Sequence, residues 1–176
     1  MGCGKTTVGK ELAQQLTYSF LDTDAYIEEN EGCSISEIFE RKGEGYFRNL
    51  ETGSLQKLVE EINHTIVSSG GGLPLREENA RLLQKLGFVI YLRVRKETVL
   101  KRLKGDTTRP LLQCDNPGKK VEELLEYRNP IYEVGAHMVI DVDEKTVEEI
   151  AEEILRNYKI MKNCGSDLED NKEQDV

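Results

Sequence analysis

Short apolar runs alternate along this chain with longer stretches of helical periodicity. Four runs read as strands: Ser19–Leu21, Thr65–Ser68, Phe88–Val94 and Met138–Val142. The run Phe88-Val-Ile-Tyr-Leu92 is continuously apolar, as a strand covered on both faces must be. Apolar spacing of three and four predicts helices near Lys5–Leu16, Ile35–Lys42, Gly45–Glu61, Arg76–Leu86, Lys96–Leu103, Val121–Tyr127 and Lys145–Tyr158. In the first of these, Val8, Leu12, Ala13 and Leu16 share one face. Strands alternating with helices predict an α/β domain on a parallel sheet, and no internal repeat shows at any period.

Two segments depart from the pattern. Residues 104–120 carry Gly, Pro, Asp and Asn with little periodicity, and a loop of that length predicts a working part such as a lid. Residues 163–176 are acidic and poor in apolar side chains, which predicts a disordered tail behind a single domain over residues 1–162. The 33 acidic against 24 basic residues give a net charge of -9, which argues against nucleic acid and anionic membrane surfaces as partners. No apolar run has the length of a membrane span and no signal-peptide pattern is present, so a cytoplasmic protein is expected. Four scattered cysteines, with no C-x-x-C spacing, indicate neither a zinc site nor a disulfide framework. His64 and His137 each precede a strand without metal-like spacing and read as structural.

The candidate chemistry begins at the first residues. Gly4-Lys5-Thr6 is the end of the phosphate-loop pattern G-x-x-x-x-G-K-[ST], whose first glycine would lie before Met1. Glycines let backbone N–H groups close on phosphate oxygens. Lys5 can bridge the β- and γ-phosphates, and the Thr6 hydroxyl can ligate Mg²⁺. The triplet alone is a weak signal; the amphipathic helix running directly out of it makes the stronger one.

Asp22-Thr-Asp24 follows a short strand, at the end where open α/β sheets bind ligands. In extended chain both carboxylates would face one cleft, one holding Mg²⁺ through water and the other orienting a hydroxyl. The competing reading is an Asx-turn capping the next helix. Gly70-Gly-Gly72 leaves backbone open to a ligand or simply makes a flexible turn. Arg48 has Glu51 one helical turn on as a clamp, Arg109 sits in the expected lid, and Arg128 precedes Asn129-Pro130. Two fixed guanidiniums beside Asp24 would suit an anionic, hydroxylated substrate.

Taken together, G-C-G-K-T-T, L-D-T-D-A-Y-I-E, S-I-S-E-I-F, G-E-G-Y-F-R-N-L-E, S-S-G-G-G-L, T-T-R-P-L-L and Y-R-N-P-I-Y resemble shikimate kinase, from Gly2 to about Tyr158. The resemblance implies a small P-loop kinase with a parallel sheet in order 2-3-1-4-5, helices on both faces and a lid. It implies transfer of the ATP γ-phosphate to the 3-hydroxyl of shikimate, on the way to chorismate and the aromatic amino acids. Gly2, Cys3, Gly4, Lys5, Thr6 and Thr7 would line the ATP phosphates, with Lys5 also catalytic. Thr6 would hold Mg²⁺ directly and Asp22 through water. Asp24 would bind ring hydroxyls and act as base; Arg48 and Arg128 would hold the carboxylate, with Gly71 as a backbone contact. Arg109 would meet phosphate charge from the lid, and Arg102 would lie near the adenine, a place Lys101 could also take. The partners implied are shikimate and ATP, with Mg²⁺ as cofactor and the protein as a monomer.

The family's first strand has no counterpart in the sequence, and it would be the centre of the sheet. The expectation is a chain that is insoluble, molten or inactive as it stands. Two rival readings remain open here: another small-molecule P-loop kinase, such as a gluconate kinase, and a non-catalytic kinase-like binding protein.

Overall fold

A computed structural model describes residues 2–103 and 116–169, with side chains as far as Asn163. Helix α1 spans Lys5–Leu16 and is followed by β1 at Ser19–Asp22. Helices α2, Thr23–Glu31, and α3, Ile35–Glu61, lead to β2 at Thr65–Ser68. A short 3-10 turn at Leu73–Leu75 precedes α4 at Glu77–Leu86, β3 at Ile90–Arg93 and α5 at Lys96–Arg102. Helix α6, Pro117–Gly135, then β4, Met138–Asp141, and α7, Val147–Glu169, complete the order. All four expected strands form, each four residues long.

Several boundaries differ from the sequence reading, each for a local reason. The two helices expected over 35–42 and 45–61 are one element kinked at Gly43, whose φ of 79° interrupts the helix without ending it. Its start is set by a capping box, in which Ser34 and Glu37 satisfy each other's backbone N–H. Helix α6 begins four residues before Val121 because Asn116 caps it, accepting from the Lys119 N–H, with Pro117 in its first turn. Residues 117–120 are therefore helix and not lid; 104–115 lie outside the described residues. Helix α6 also continues through Pro130, where the tyrosine hydroxyl of β3, on Tyr91, donates to Asn129 Oδ1 at 2.7 Å and anchors that turn. Helix α7 runs on to Glu169, through the first part of the expected tail.

The strands pair in parallel as β1 with β2 (Ser19 opposite Thr65) and β3 with β4 (Ile90 opposite Met138). Among the described residues β2 and β3 do not pair with each other, so the sheet is two ribbons. Between them lies a cavity of about 400 Å³, walled by Ile66 and Val67 of β2 and by Ile90 and Leu92 of β3. The main core joins α1, β3, β4 and α7 through Val8, Leu12, Leu92, Ile140, Val142 and Ile154. A second cluster, Ile27, Ile38 and Phe47, locks α2 against α3. Close packing of α1 on the first ribbon needs Gly9: a Cβ there would meet Phe20 at 2.8 Å. Gly9→Ala is expected to lower stability by about 1–3 kcal/mol, read as a lower melting temperature; an unchanged melt would mean that Phe20 is free to turn aside.

Candidate active site

The phosphate loop forms as its residues dictate. Gly2 and Gly4 take φ of 64° and 88°, conformations natural only to glycine, and Gly4 caps α1 without a side chain. The first turn of α1 therefore keeps its N–H groups open for an anion, with the positive end of the helix dipole behind them. Cys3 is buried in the main core, so its side chain serves packing, and only its backbone is available to a ligand.

Thr6 Oγ1 donates to Asp22 Oδ2 at 3.2 Å, and Asp22 Oδ1 accepts from the Asp24 N–H at 3.1 Å. The capping reading of Asp22 holds: it caps α2 with one oxygen and meets Thr6 with the other. Strand β1 ends at Asp22, so Asp24 stands in the first turn of α2 rather than in extended chain. The two carboxylates still share the cleft. Burial holds Asp24 above the usual carboxylate range and the Asp22 charge adds to this, while Lys5 and Arg48 pull the other way.

Four side chains meet at the three glycines. A Cβ on Gly70 would fall 2.4 Å from Asp24 Oδ1, and one on Gly72 would fall 2.3 Å from Arg48 Nη1. At Gly71 the neighbours are Arg128 Nη1 and the Tyr132 hydroxyl, each 3.7 Å from the same test position. Asp24, Arg48 and Arg128, 104 residues apart in sequence at the extremes (128 less 24), are thus brought to one short loop. Arg48 is held in a fork, bonded to the buried Glu51 at 2.8 Å and to Glu44 at 2.9 Å. Burial pushes the Glu51 carboxyl up and Arg48 opposes it. Arg128 Nε is buried without a hydrogen-bond partner, an orphan donor beside the glycine loop.

The loop itself is pinned by residues with no motif to announce them. Thr23 Oγ1 accepts from the Gly70 N–H at 2.9 Å, and the Tyr132 hydroxyl donates to the Gly71 carbonyl. Asn79, fully buried, donates to the Leu73 carbonyl at 3.0 Å and accepts from Thr52 at 2.8 Å. Arg102 bonds the Gly2 and Val142 carbonyls at 3.2 Å each, tying the phosphate loop to the end of β4. Arg109 lies outside the described residues. His64 and His137 are structural: His64 is edge-on to Tyr18, while His137 Nδ1 accepts from the Val89 N–H.

No group of three or more His, Cys, Asp or Glu among the described residues could hold a metal by itself. One hydroxyl and one carboxylate side by side nevertheless fit Mg²⁺, which keeps several waters and takes few protein oxygens beside phosphate. No described helix is long and apolar enough to cross a membrane.

A glycine loop opening a helix, with a hydroxyl in its first turn beside a carboxylate at the end of a parallel strand, puts this chain among the α/β P-loop kinases. The family model for shikimate kinase matches residues 1–159. The shikimate kinase of Caldanaerobacter subterraneus subsp. tengcongensis is 45% identical over 158 residues, which are 90% of this chain and 91% of that protein. That of Sulfurihydrogenibium sp. is 46% identical over 159 residues, 90% of this chain and 93% of its own. The structure of shikimate kinase from Acinetobacter baumannii in complex with shikimate superposes with a TM-score of 0.84 at 39% identity, covering 93% of this chain and 89% of that one. The chain belongs to the shikimate kinase family.

Proposed function

We propose that this protein transfers the γ-phosphate of ATP to the 3-hydroxyl of shikimate, as a cytoplasmic monomer with its catalytic domain over residues 1–162. The observation that carries the reading is the meeting of Asp24, Arg48 and Arg128 at Gly70–Gly72 in a protein of this family. The gluconate-kinase and non-catalytic readings have no comparable support.

Phosphoryl transfer needs positioning and neutralisation of charge more than covalent chemistry. Gly2–Thr7 hold the ATP phosphates through backbone N–H groups, with Lys5 at the β- and γ-phosphates. Mg²⁺, when bound at Thr6 and, through water, at Asp22, neutralises phosphate charge. Arg128, with its unsatisfied donor, and Arg48, prepositioned by Glu51 and Glu44, grip the carboxylate of shikimate. Gly71 offers backbone to the ring. Asp24 then lies at the ring hydroxyls, on the Lys5 side of the cradle, where it orients the attacking oxygen and accepts its proton. Arg109 meets charge developing on the phosphate, and Arg102 lies by the nucleotide while bracing the loop.

In the family's order 2-3-1-4-5, β1, β2, β3 and β4 take the four outer positions and the cavity between the ribbons takes the centre. The pairings of β1 with β2 and of β3 with β4 are what supports this reading.

The cradle gives a test of substrate class. Gly72→Ala drives a methyl into Arg48 and is expected to raise KM for shikimate about tenfold or more, the loss of a charge-assisted pair, with KM for ATP unchanged. Steady-state kinetics on shikimate, gluconate and simple hydroxy acids check both points. Activity on gluconate in preference to shikimate would defeat the assignment.

A further inference from the structure

The three glycine carbonyls of the loop are not satisfied alike. The Gly70 carbonyl accepts from the Leu73 N–H and the Gly72 carbonyl from the Leu75 N–H, each at 3.2 Å, so the local turn serves both. The Gly71 carbonyl accepts instead from the Tyr132 hydroxyl of α6, 61 positions away. The peptide unit is planar and trans, so that one bond also directs the Gly72 N–H away from Tyr132. The Arg128 guanidinium meets the same hydroxyl, one helical turn earlier on the same face of α6. Burial pushes the Tyr132 hydroxyl up against the opposing Arg128 charge, so the group stays protonated, and a donor, at neutral pH. The turn that carries Arg128 is also short of one internal bond, because Pro130 has no N–H for the Glu126 carbonyl. Tyr91 of β3 braces it: its hydroxyl donates to Asn129 Oδ1 at 2.7 Å, and its ring lies 5.2 Å from that of Tyr132, tilted by 58°.

The geometry points to Tyr132 as a positioning residue: its hydroxyl joins Arg128 to the Gly71–Gly72 peptide, so that guanidinium and loop meet the anionic end of the substrate as one preset unit. The inference rests on the proposed grip of Arg128 on the carboxylate. Tyr132 acts through Arg128 and the loop and is not itself a catalytic residue. A long arginine side chain free to turn carries rotamer entropy that binding must remove, and holding it beforehand lowers that cost. It also keeps the Nε donor, buried without a partner, ready for an incoming oxygen. The Tyr132 ring alone would serve packing on Tyr91; the hydroxyl is spent on the loop and the arginine. Without that hydroxyl, Arg128 and the Gly71 carbonyl each gain other orientations. Apparent affinity then falls with the fraction of molecules that keeps the competent arrangement.

The test removes only the hydroxyl, in the full chain. Tyr132→Phe keeps the ring and is expected to raise Kd and KM for shikimate about tenfold, with the effect on KM for shikimate rather than on kcat or KM for ATP. The loss belongs to the carboxylate, so binding of the neutral carboxamide of shikimate should weaken by no more than about twofold. In an Arg128→Ala background, Tyr132→Phe should cost less than about threefold, because the group it positions is gone. A tyrosine that merely supports the fold would weaken shikimate, the carboxamide and ATP together, and as strongly without Arg128 as with it. Should Tyr132→Phe not melt cooperatively, Tyr91→Phe carries the test: it frees Asn129 and is expected to weaken shikimate about threefold, with the same dependence on Arg128. Unchanged shikimate affinity in the variant tested, equal weakening of shikimate and its carboxamide, or full additivity with Arg128→Ala would overturn the proposal. An Arg128→Ala protein that binds shikimate as wild type does would overturn the arginine grip and this proposal with it. Unchanged affinity in Tyr132→Phe beside an impaired Arg128→Ala would remove this proposal alone.

Discussion

Asp24→Asn is expected to lower turnover by about 10²- to 10⁴-fold, the usual worth of a positioned general base, while ATP binding stays the same. The amide keeps the shape and the contact with Gly70 but cannot take the proton of the attacked hydroxyl. The same change is expected to stabilise the protein at neutral pH. The Asp24 carboxyl titrates above its ordinary value in the folded chain, chiefly through burial, so the folded state binds the proton more tightly than the unfolded state. Stability from this group is thus greatest at low pH and is lost as pH rises through the folded pKa. Asparagine removes the buried charge and with it that loss. A denaturant titration at pH 7 beside single-turnover kinetics separates the two effects. Full turnover in Asp24→Asn would remove the residue from proton transfer. The wild-type rate should also fall on acidification sooner than an ordinary aspartate would require, because the ionised form is the active one.

The two arginines are expected to fail differently. Arg48→Ala removes a charge-assisted grip worth about 1.5–3 kcal/mol, roughly 10- to 150-fold in shikimate affinity. It also strands Glu51, 1% exposed, without its cation. Breaking a fully buried pair costs about 3–5 kcal/mol, and less than that here because the Arg48 side chain retains 21% exposure. Arg48→Ala should therefore melt well below wild type, and adding Glu51→Gln should recover much of the melt but none of the affinity. Arg48→Lys should bind poorly as well, because a point charge cannot reproduce the fork to Glu51 and Glu44. Arg128 Nε lacks a partner in the ligand-free protein, although the guanidinium also meets Tyr132, so Arg128→Ala should lose similar affinity at less cost in stability than Arg48→Ala. Calorimetric titration with shikimate and thermal melts on the variants check this. Equal loss of ATP and shikimate binding in Arg128→Ala would make it a folding residue.

Much of this molecule is legible in the sequence because its signals are local. The helix Lys5–Leu16 and the strand Thr65–Ser68 form with the bounds that their apolar spacing predicts. The Arg48–Glu51 clamp is one helical turn, and the Thr6–Asp22 pair follows from a motif and the strand after it. The residues that pin the glycine loop are not legible. Thr23 reaches Gly70 across 47 positions and Tyr132 reaches Gly71 across 61, and neither pair has a periodicity or spacing that would connect them. Asn116 and Pro117 start α6 inside the stretch 104–120, whose glycine and proline content reads as loop. Pro130 shows the reverse case: local chemistry favours a helix end, and the Tyr91–Asn129 contact from β3 outweighs it. Asp24 reaches the cleft from a helix rather than from extended chain, because Asp22 turns the backbone by capping α2.

The most direct measurement follows the phosphate itself. ATP labelled at the γ-position, Mg²⁺ and shikimate are incubated with the enzyme, and the products are resolved by phosphorus NMR. The expected result is ADP and label on the 3-oxygen of shikimate in equal amounts, with no ADP release when shikimate is omitted. Release of ADP that shikimate does not accelerate, or label on another acceptor in preference to it, would contradict the account.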